Sequence, residues 1–151
     1  MGLSEKIVES VKEIFSTMIM MEIAEKGTLL TKTIPLTDTI SGVIGMAGTH
    51  KGVLAIHLPY HVAKAITGSF LGMDVDEINE DVEDAVGELA NMLGGNVKTI
   101  LSDKGRDIDL SMPTTISGHH YDFQPTKEVE RIVILFNCEV GEFLIEMQIE
   151  K

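Results

Sequence analysis

Glu88 and Asn91 are the residues of this sequence whose types and spacing point most directly to chemistry. Residues three apart on a helix are neighbours on one face, so a carboxylate and a carboxamide would lie side by side. The carboxylate can pair with a cation, and the carboxamide both accepts and donates hydrogen bonds without adding charge. On these residues alone, two interpretations stay open: a site for a polar ligand, or an ordinary solvated helix face.

The pair belongs to a long helix predicted over residues 80–102, followed by a stop at Gly105. At about 100° per residue, one side of this helix is apolar and therefore buried. The opposite side is predicted to carry Asp84, Glu88, Asn91, Gly95 and Lys98. Two consecutive glycines, Gly94 and Gly95, each cost a helix about 1 kcal/mol relative to alanine. They favour a close approach by another backbone, or a kink or crossing with the first helix.

The elements before this helix follow from periodicity and turn residues. Apolar residues at three- and four-residue steps between Ile7 and Ile19 predict a first helix, with Ser4 as its cap. A hairpin is predicted over residues 28–58, and a short helix over residues 60–71, closed by Gly72.

After the long helix, strands are predicted at residues 107–110 and from Thr115 onward, and a closing hairpin joins residues 131–137 to 143–149. The alternation of residues 143–149 favours a position near a sheet edge, where strands can pair across a twofold axis. The tetrapeptide Thr-Ile-Ser-Gly occurs at residues 39–42 and again at 115–118. It suggests two related halves, each a helix followed by antiparallel strands.

Length and charge set the remaining bounds. The 151 residues predict one domain spanning 1–151, and the net charge of -12 disfavours nucleic acid and anionic membranes as partners. Cys138 is the only cysteine, which excludes an internal disulfide and fits a buried apolar strand position. No apolar run approaches the roughly 20 residues of a membrane span, so a cytoplasmic location is predicted. A strand–helix junction at Pro59 separates His57 from His61, and His119 and His120 would point to opposite sides of a strand, so no metal site is predicted.

Glu88-Leu89-Ala90-Asn91 is followed, after twenty-one residues, by Pro113. This pattern resembles the E-x2-N-x21-P signature of the CheC/CheX/FliY family of chemotaxis phosphatases, and the resemblance extends over the whole chain. It is strongest to the CheX branch. Only one helix carries the signature, as in that branch. In the first helix, Ser16 stands three residues after Glu13 in place of asparagine, and Asp38 stands in place of the proline.

The resemblance implies an α/β fold of the α+β type. It would be a pseudo-twofold CheC-like domain with two long helices packed on a mostly antiparallel sheet. It also implies hydrolysis of the aspartyl phosphate of a CheY-type response regulator by a homodimer. The chain itself would hold no cofactor, and Mg²⁺ is expected on the receiver.

In such an enzyme, Asn91 would position the attacking water and Glu88 would pair with the receiver's active-site lysine. Pro113 would shape the adjoining loop, and the residues expected to contact the receiver are Asp84, Gly94, Gly95 and Lys98. The alternative is a non-catalytic module of the same fold that binds a receiver or serves dimerisation.

Overall fold

The described part of the chain, residues 2–29, 35–102, 107–123 and 128–150 of a computed structural model, forms three helices and seven strands. Their order is α1 (Leu3–Ile14, continued by a π-helical segment Phe15–Ile19), β1 (Ile23–Leu29), β2 (Pro35–Gly48), β3 (Gly52–Pro59), α2 (Tyr60–Leu71), α3 (Glu80–Leu101), β4 (Ile108–Leu110), β5 (Thr114–Asp122), β6 (Val129–Cys138) and β7 (Gly141–Glu150). The helices pack on one antiparallel sheet, so the predicted α+β fold is confirmed. No helix in these ranges is long and apolar enough to cross a bilayer.

The sheet has the same arrangement on both sides of its centre. The strand order is β1-β6-β7-β3-β2-β4, with β5 also paired to β2. β3 and β7 pair at the centre, and each continues outward to its hairpin partner and then to an edge. This topology gives the two predicted halves. The repeated tetrapeptide does not mark equivalent positions in the two halves, because residues 39–42 in β2 pair directly with residues 115–118 in β5.

β7 lies at the centre of the sheet, so the prediction that residues 143–149 lie near an edge is wrong. The alternation reflects two different buried environments. Phe143, Ile145 and Met147 belong to the core beneath the helices, whereas Glu146 and Gln148 point to the other face and are also buried. The edges of the described sheet are β1 on one side and β4 with β5 on the other.

The ends of the helices follow the sequence signals with one correction. Gly2 is the cap residue of α1 and Ser4 lies within its first turn, so the predicted Ser4 cap is wrong. α2 matches its predicted range and ends at Gly72, whose φ of 68° is left-handed. α3 begins at Asn79, whose side chain accepts a hydrogen bond from Val82 N at 3.1 Å. The predicted stop at Gly105 lies outside the described residues.

A close contact between α3 and β2 positions the signature helix. A Cβ added at Gly42 would lie 2.9 Å from the carbonyl oxygen of Val86 and 3.1 Å from the Cβ of Ala90. Only a residue without a side chain allows the helix to lie this close to the strand. α3 is therefore held directly on the sheet, with its apolar side in the core and its polar side outward.

Candidate functional site

Glu88 and Asn91 lie on the exposed side of α3, one helical turn apart, as predicted. Asp84 is exposed beside them, and Gly95 and Lys98 are half-buried on the same side. Within the described residues, the side chains of Glu88 and Asn91 make no hydrogen bond or ion pair. Both groups are therefore available to a ligand or partner.

Pro113 packs against α3 at Gly87, the residue before Glu88. A Cβ at Gly87 would lie 3.9 Å from both Cβ and Cγ of Pro113, which is ordinary van der Waals contact. A depression of about 410 Å³ opens at this contact, lined by Glu83, Asp84, Gly87, Glu88, Pro113 and Thr115. The proline of the signature thus forms a wall beside the glutamate, although it is far away in sequence.

The segment that leads to this proline runs along α3 in the opposite direction. Leu110, at its start, would contact a Cβ at Gly94 at 3.5 Å, and Pro113, at its end, lies beside Gly87. The seven helical steps from Gly87 to Gly94 rise about 10.5 Å, close to the reach of three extended residues. The spacing of the signature therefore matches the path by which the chain leaves α3, forms β4 and returns along the helix.

Gly94 lies on the buried side of α3, which corrects its predicted place on the partner surface. A Cβ there would lie 3.2 Å from both Cδ1 and Cγ2 of Ile44. Consecutive helix residues are about 100° apart, so Gly94 and Gly95 face different environments. Gly94 lets the helix close on Ile44, whereas a Cβ at Gly95 would meet nothing within 4 Å. Only Gly95 leaves the exposed side bare.

A second polar cluster, the His57 network, is buried on the sheet face opposite the helices. His57 is 1% exposed, with Nδ1 2.6 Å from Ser41 Oγ and Nε2 3.0 Å from Glu146 Oε1. Since a carboxylate only accepts, Nε2 carries a proton and donates it, and in the neutral ring Nδ1 accepts from the Ser41 hydroxyl. Arg131 Nε and Gln148 Nε2 donate to Glu146 Oε2 at 2.7 and 2.6 Å.

The His57 network has the residue types of a nucleophilic triad but not its accessibility. Ser41 is 0% exposed, and its oxygen also lies 2.7 Å from the hydroxyl of Tyr121. Burial raises the pKa of Glu146, but hydrogen bonds from His57, Arg131 and Gln148 outweigh it, so the pKa lies below its ordinary value of 4.5. The network is therefore a satisfied structural ion cluster, and no substrate could reach its serine.

The other histidines do not converge. His119 Nδ1 pairs with Asp38 Oδ1 at 2.6 Å on the surface, and His120 Nδ1 lies 3.5 Å from Thr37 Oγ1. In the described part of the chain, no three or more His, Cys, Asp or Glu side chains are grouped to hold a metal ion. Cys138 is buried in β6, as predicted, with Sγ 3.3 Å from the carbonyl oxygen of Gly141.

Met112 is a residue that the sequence did not single out. It directly precedes Pro113 and is 86% exposed, more than any other large hydrophobic side chain among the described residues. Two features of the sequence could have indicated it. Met112 stands directly before the signature proline, and methionine is a residue type common at adaptable interfaces.

Comparison with known proteins identifies the family. The sequence model of the family described as chemotaxis phosphatase CheX matches residues 40–137. "CheY-P phosphatase CheX" of Thermotoga maritima is 30% identical over 86 residues, 56% of this chain and 56% of that relative's length. A CheC-like superfamily protein of Shewanella sp. PV-4 superposes with a TM-score of 0.89 at 31% identity, covering 99% of this chain and 97% of the other.

The likeness to a more distant structure supports the fold alone, because the identity is low. The CheX of a CheX–CheY–BeF3–Mg complex from Borrelia burgdorferi matches with a TM-score of 0.77 at 18% identity, over 99% of both chains. The family match spans more than half of the chain, from β2 to β6, and includes Glu88, Asn91 and Pro113. The chain belongs to the CheX family of chemotaxis phosphatases.

Proposed function

We propose that this protein hydrolyses the aspartyl phosphate of a CheY-type response regulator, with Glu88 and Asn91 as its catalytic residues. The observation that carries the proposal is an exposed carboxylate and carboxamide on one turn of α3, beside the proline of the signature and without a partner among the described residues. The name of the Thermotoga maritima relative, a CheY-P phosphatase, supports this substrate. So does the existence of a Borrelia burgdorferi CheX complex with CheY, BeF3 and Mg.

Asn91 suits the task of positioning water. An aspartyl phosphate is an activated ester, and Mg²⁺ held by the receiver would neutralise its charge, so the phosphatase need not supply a nucleophile. Placing a water in line with phosphorus removes several kcal/mol of the barrier. A carboxamide can accept from that water and donate to a phosphoryl oxygen without bringing a second anion to the phosphate.

Glu88 suits the task of orienting the receiver. Its carboxylate lies one turn before Asn91, with the acidic Glu83 and Asp84 lining the same depression. This local negative charge would attract the receiver's active-site lysine, and docking would strengthen the ion pair by removing water. Asp84, Gly95 and Lys98, on the same side of α3, are the proposed contacts around it.

The proposal is tested by the decay of an acyl-phosphorylated CheY-type receiver with and without this protein. Wild type should accelerate decay, and Asn91→Ala should abolish the acceleration because no group then holds the water. Thr99→Ala, an exposed change two turns further along α3, is the matched control and should leave the rate unchanged.

Acceleration that survives Asn91→Ala would contradict the proposed mechanism. Binding of a beryllofluoride-activated receiver without any acceleration would instead favour the non-catalytic receiver-binding module. No binding to any receiver from the same cell would contradict the proposed partner.

We also propose that the protein acts as a homodimer. The edge strands of the described sheet, β1 and β4 with β5, offer backbone groups that a second copy could pair with. Light scattering coupled to size-exclusion chromatography would give the mass. A monomer at working concentrations would contradict this part of the proposal.

A further inference from the structure

Met112 belongs to the segment that runs along the catalytic turn of α3. Residues 110–113 lead from the contact of Leu110 beside Gly94 to the contact of Pro113 beside Gly87. Met112 directly precedes Pro113, so it lies between these two contacts along the chain. Glu88 and Asn91 lie on the helix between the same two glycines.

Both catalytic residues lie beside the strip of α3 that the segment covers. Gly87 and Gly94 form that strip, and both are buried. At about 100° per residue, Asn91 is displaced about 40° around the axis from Gly87, and Glu88 about 100°. Glu88 also lines the depression next to Pro113, the residue that follows Met112.

The backbone around Met112 is held on both sides, although its side chain is in water. Ser111 N donates to Gly45 O at 2.9 Å, and Gly45 N donates to Ser111 Oγ at 2.8 Å. The same hydroxyl donates to the carbonyl oxygen of Met112 at 3.1 Å. On the other side, Pro113 is held by its ring, which fixes its φ angle, and by its contact with Gly87.

A single exposed hydrophobic residue needs no functional explanation by itself. Met112 differs because its backbone is held in place directly before Pro113, which lines the depression with Glu88 on the surface where the proposed substrate must approach. A side chain on a rigid backbone loses little conformational freedom when a partner covers it, so its contact contributes efficiently to binding.

We propose that Met112 is a substrate-contact residue, which packs on an apolar patch of the receiver beside its phosphorylation site and seats the receiver over Asn91. The proposal rests on the receiver being the partner, as proposed above. The acidic Glu83, Asp84 and Glu88 flank the same depression. The matching receiver surface should therefore combine this apolar patch with an adjacent cation.

Steady-state dephosphorylation over a range of receiver concentrations tests the contact. Met112→Ala should raise KM about five- to tenfold, the usual effect of truncating a central interface residue, and leave kcat within about twofold. Met112→Leu, which keeps the apolar volume, should stay within about twofold of wild type. Met73→Ala is the matched control, because Met73 is 53% exposed but lies just beyond α2, away from the site.

Salt separates this contact from the charged ones around it. The ratio of the KM of Met112→Ala to that of wild type should be the same at low and high salt, because an apolar contact is not screened. The corresponding ratio for Glu88→Gln should shrink at high salt. Melting temperatures of both methionine variants should equal that of wild type, since both side chains are exposed.

Two results would overturn the inference while leaving the proposed phosphatase intact: a KM for Met112→Ala equal to that of Met73→Ala, or a fall in kcat instead of a rise in KM. If wild type binds a beryllofluoride-activated receiver but does not hydrolyse its phosphate, the catalytic proposal fails separately. The contact is then supported if Met112→Ala weakens that binding about five- to tenfold, and overturned if binding is unchanged.

Discussion

The molecule carries two polar clusters that differ in hydrogen bonding and exposure: the Glu88–Asn91 pair on α3 and the His57 network across the sheet. The network has a serine, a histidine and a carboxylate in a hydrogen-bonded row, which are the residue types of a nucleophilic enzyme. It is buried and its polar groups bond one another. The pair on α3 has ordinary residue types, but its side chains lie in solvent and have no partner in the part of the chain that the structure describes.

The difference shows that availability, rather than residue type, distinguishes the proposed site from the structural cluster. A buried polar group without a partner costs about 1–3 kcal/mol, so the fold satisfies the groups it buries. The polar atoms of the His57 network are engaged with one another for that reason. Glu88 and Asn91 are solvated, and they can exchange water for a receiver at little cost. Substitutions in the two clusters should therefore affect different properties.

The largest effect is expected for Arg131→Met in the His57 network. It leaves Glu146 buried without its cation, which should lower the free energy of unfolding by about 3 kcal/mol. Urea denaturation would measure this, with Lys51→Met as an exposed control within about 0.5 kcal/mol of wild type. Dephosphorylation per folded molecule should be unchanged. An Arg131→Met protein as stable as wild type would contradict the structural role of the His57 network.

Asn91→Asp is expected to lower activity and leave stability unchanged. The anion cannot donate to a phosphoryl oxygen and repels it, so kcat should fall about 100-fold, or about 2.7 kcal/mol. The free energy of unfolding should stay within about 0.5 kcal/mol, because the residue is exposed. Receiver dephosphorylation and urea denaturation of the same preparation would show both. Retained activity would contradict the role of the amide as a donor.

Glu146→Gln should reveal the pH dependence of the network. The pKa of Glu146 is lower in the folded protein than its ordinary 4.5. Its carboxylate therefore stabilises the fold above about pH 4.5, and this contribution is lost as pH falls through the folded pKa. At neutral pH the variant should be less stable by about 1–3 kcal/mol. The difference should narrow as the pH falls below 4.5 in a series of urea denaturations. A constant difference would show that the charge of Glu146 does not matter.

The smallest effects concern the adjacent glycines of α3. Gly95→Ala places its methyl in open space and should stabilise the protein by up to about 1 kcal/mol through helix propensity. Gly94→Ala places it 3.2 Å from two carbons of the buried Ile44 and should destabilise by about 1 kcal/mol. Thermal unfolding would compare the two. If the receiver approaches the bare helix, Gly95→Ala should also raise KM, whereas an unchanged KM would remove Gly95 from the proposed contact surface.

Part of the fold and part of the site were predictable from local signals. The apolar period of residues 80–102 predicted α3 and its exposed pair, because the side on which a helical residue lies depends only on its neighbours within a few turns. α2 and the closing hairpin also followed from local patterns and turn glycines. The interval to Pro113 linked the pair to a phosphatase family before its geometry was known.

Only the tertiary structure decided which residues far apart in sequence meet. It placed β7 at the sheet centre, brought Ser41, His57 and Glu146 together, turned Gly94 toward Ile44 and returned Pro113 to the side of α3. The physical reason is that strand pairing and the closure of a loop on a helix depend on the packing of the whole chain, which periodicity does not encode. The sequence by itself therefore determined the helical face that carries the proposed site, and the fold determined its surroundings.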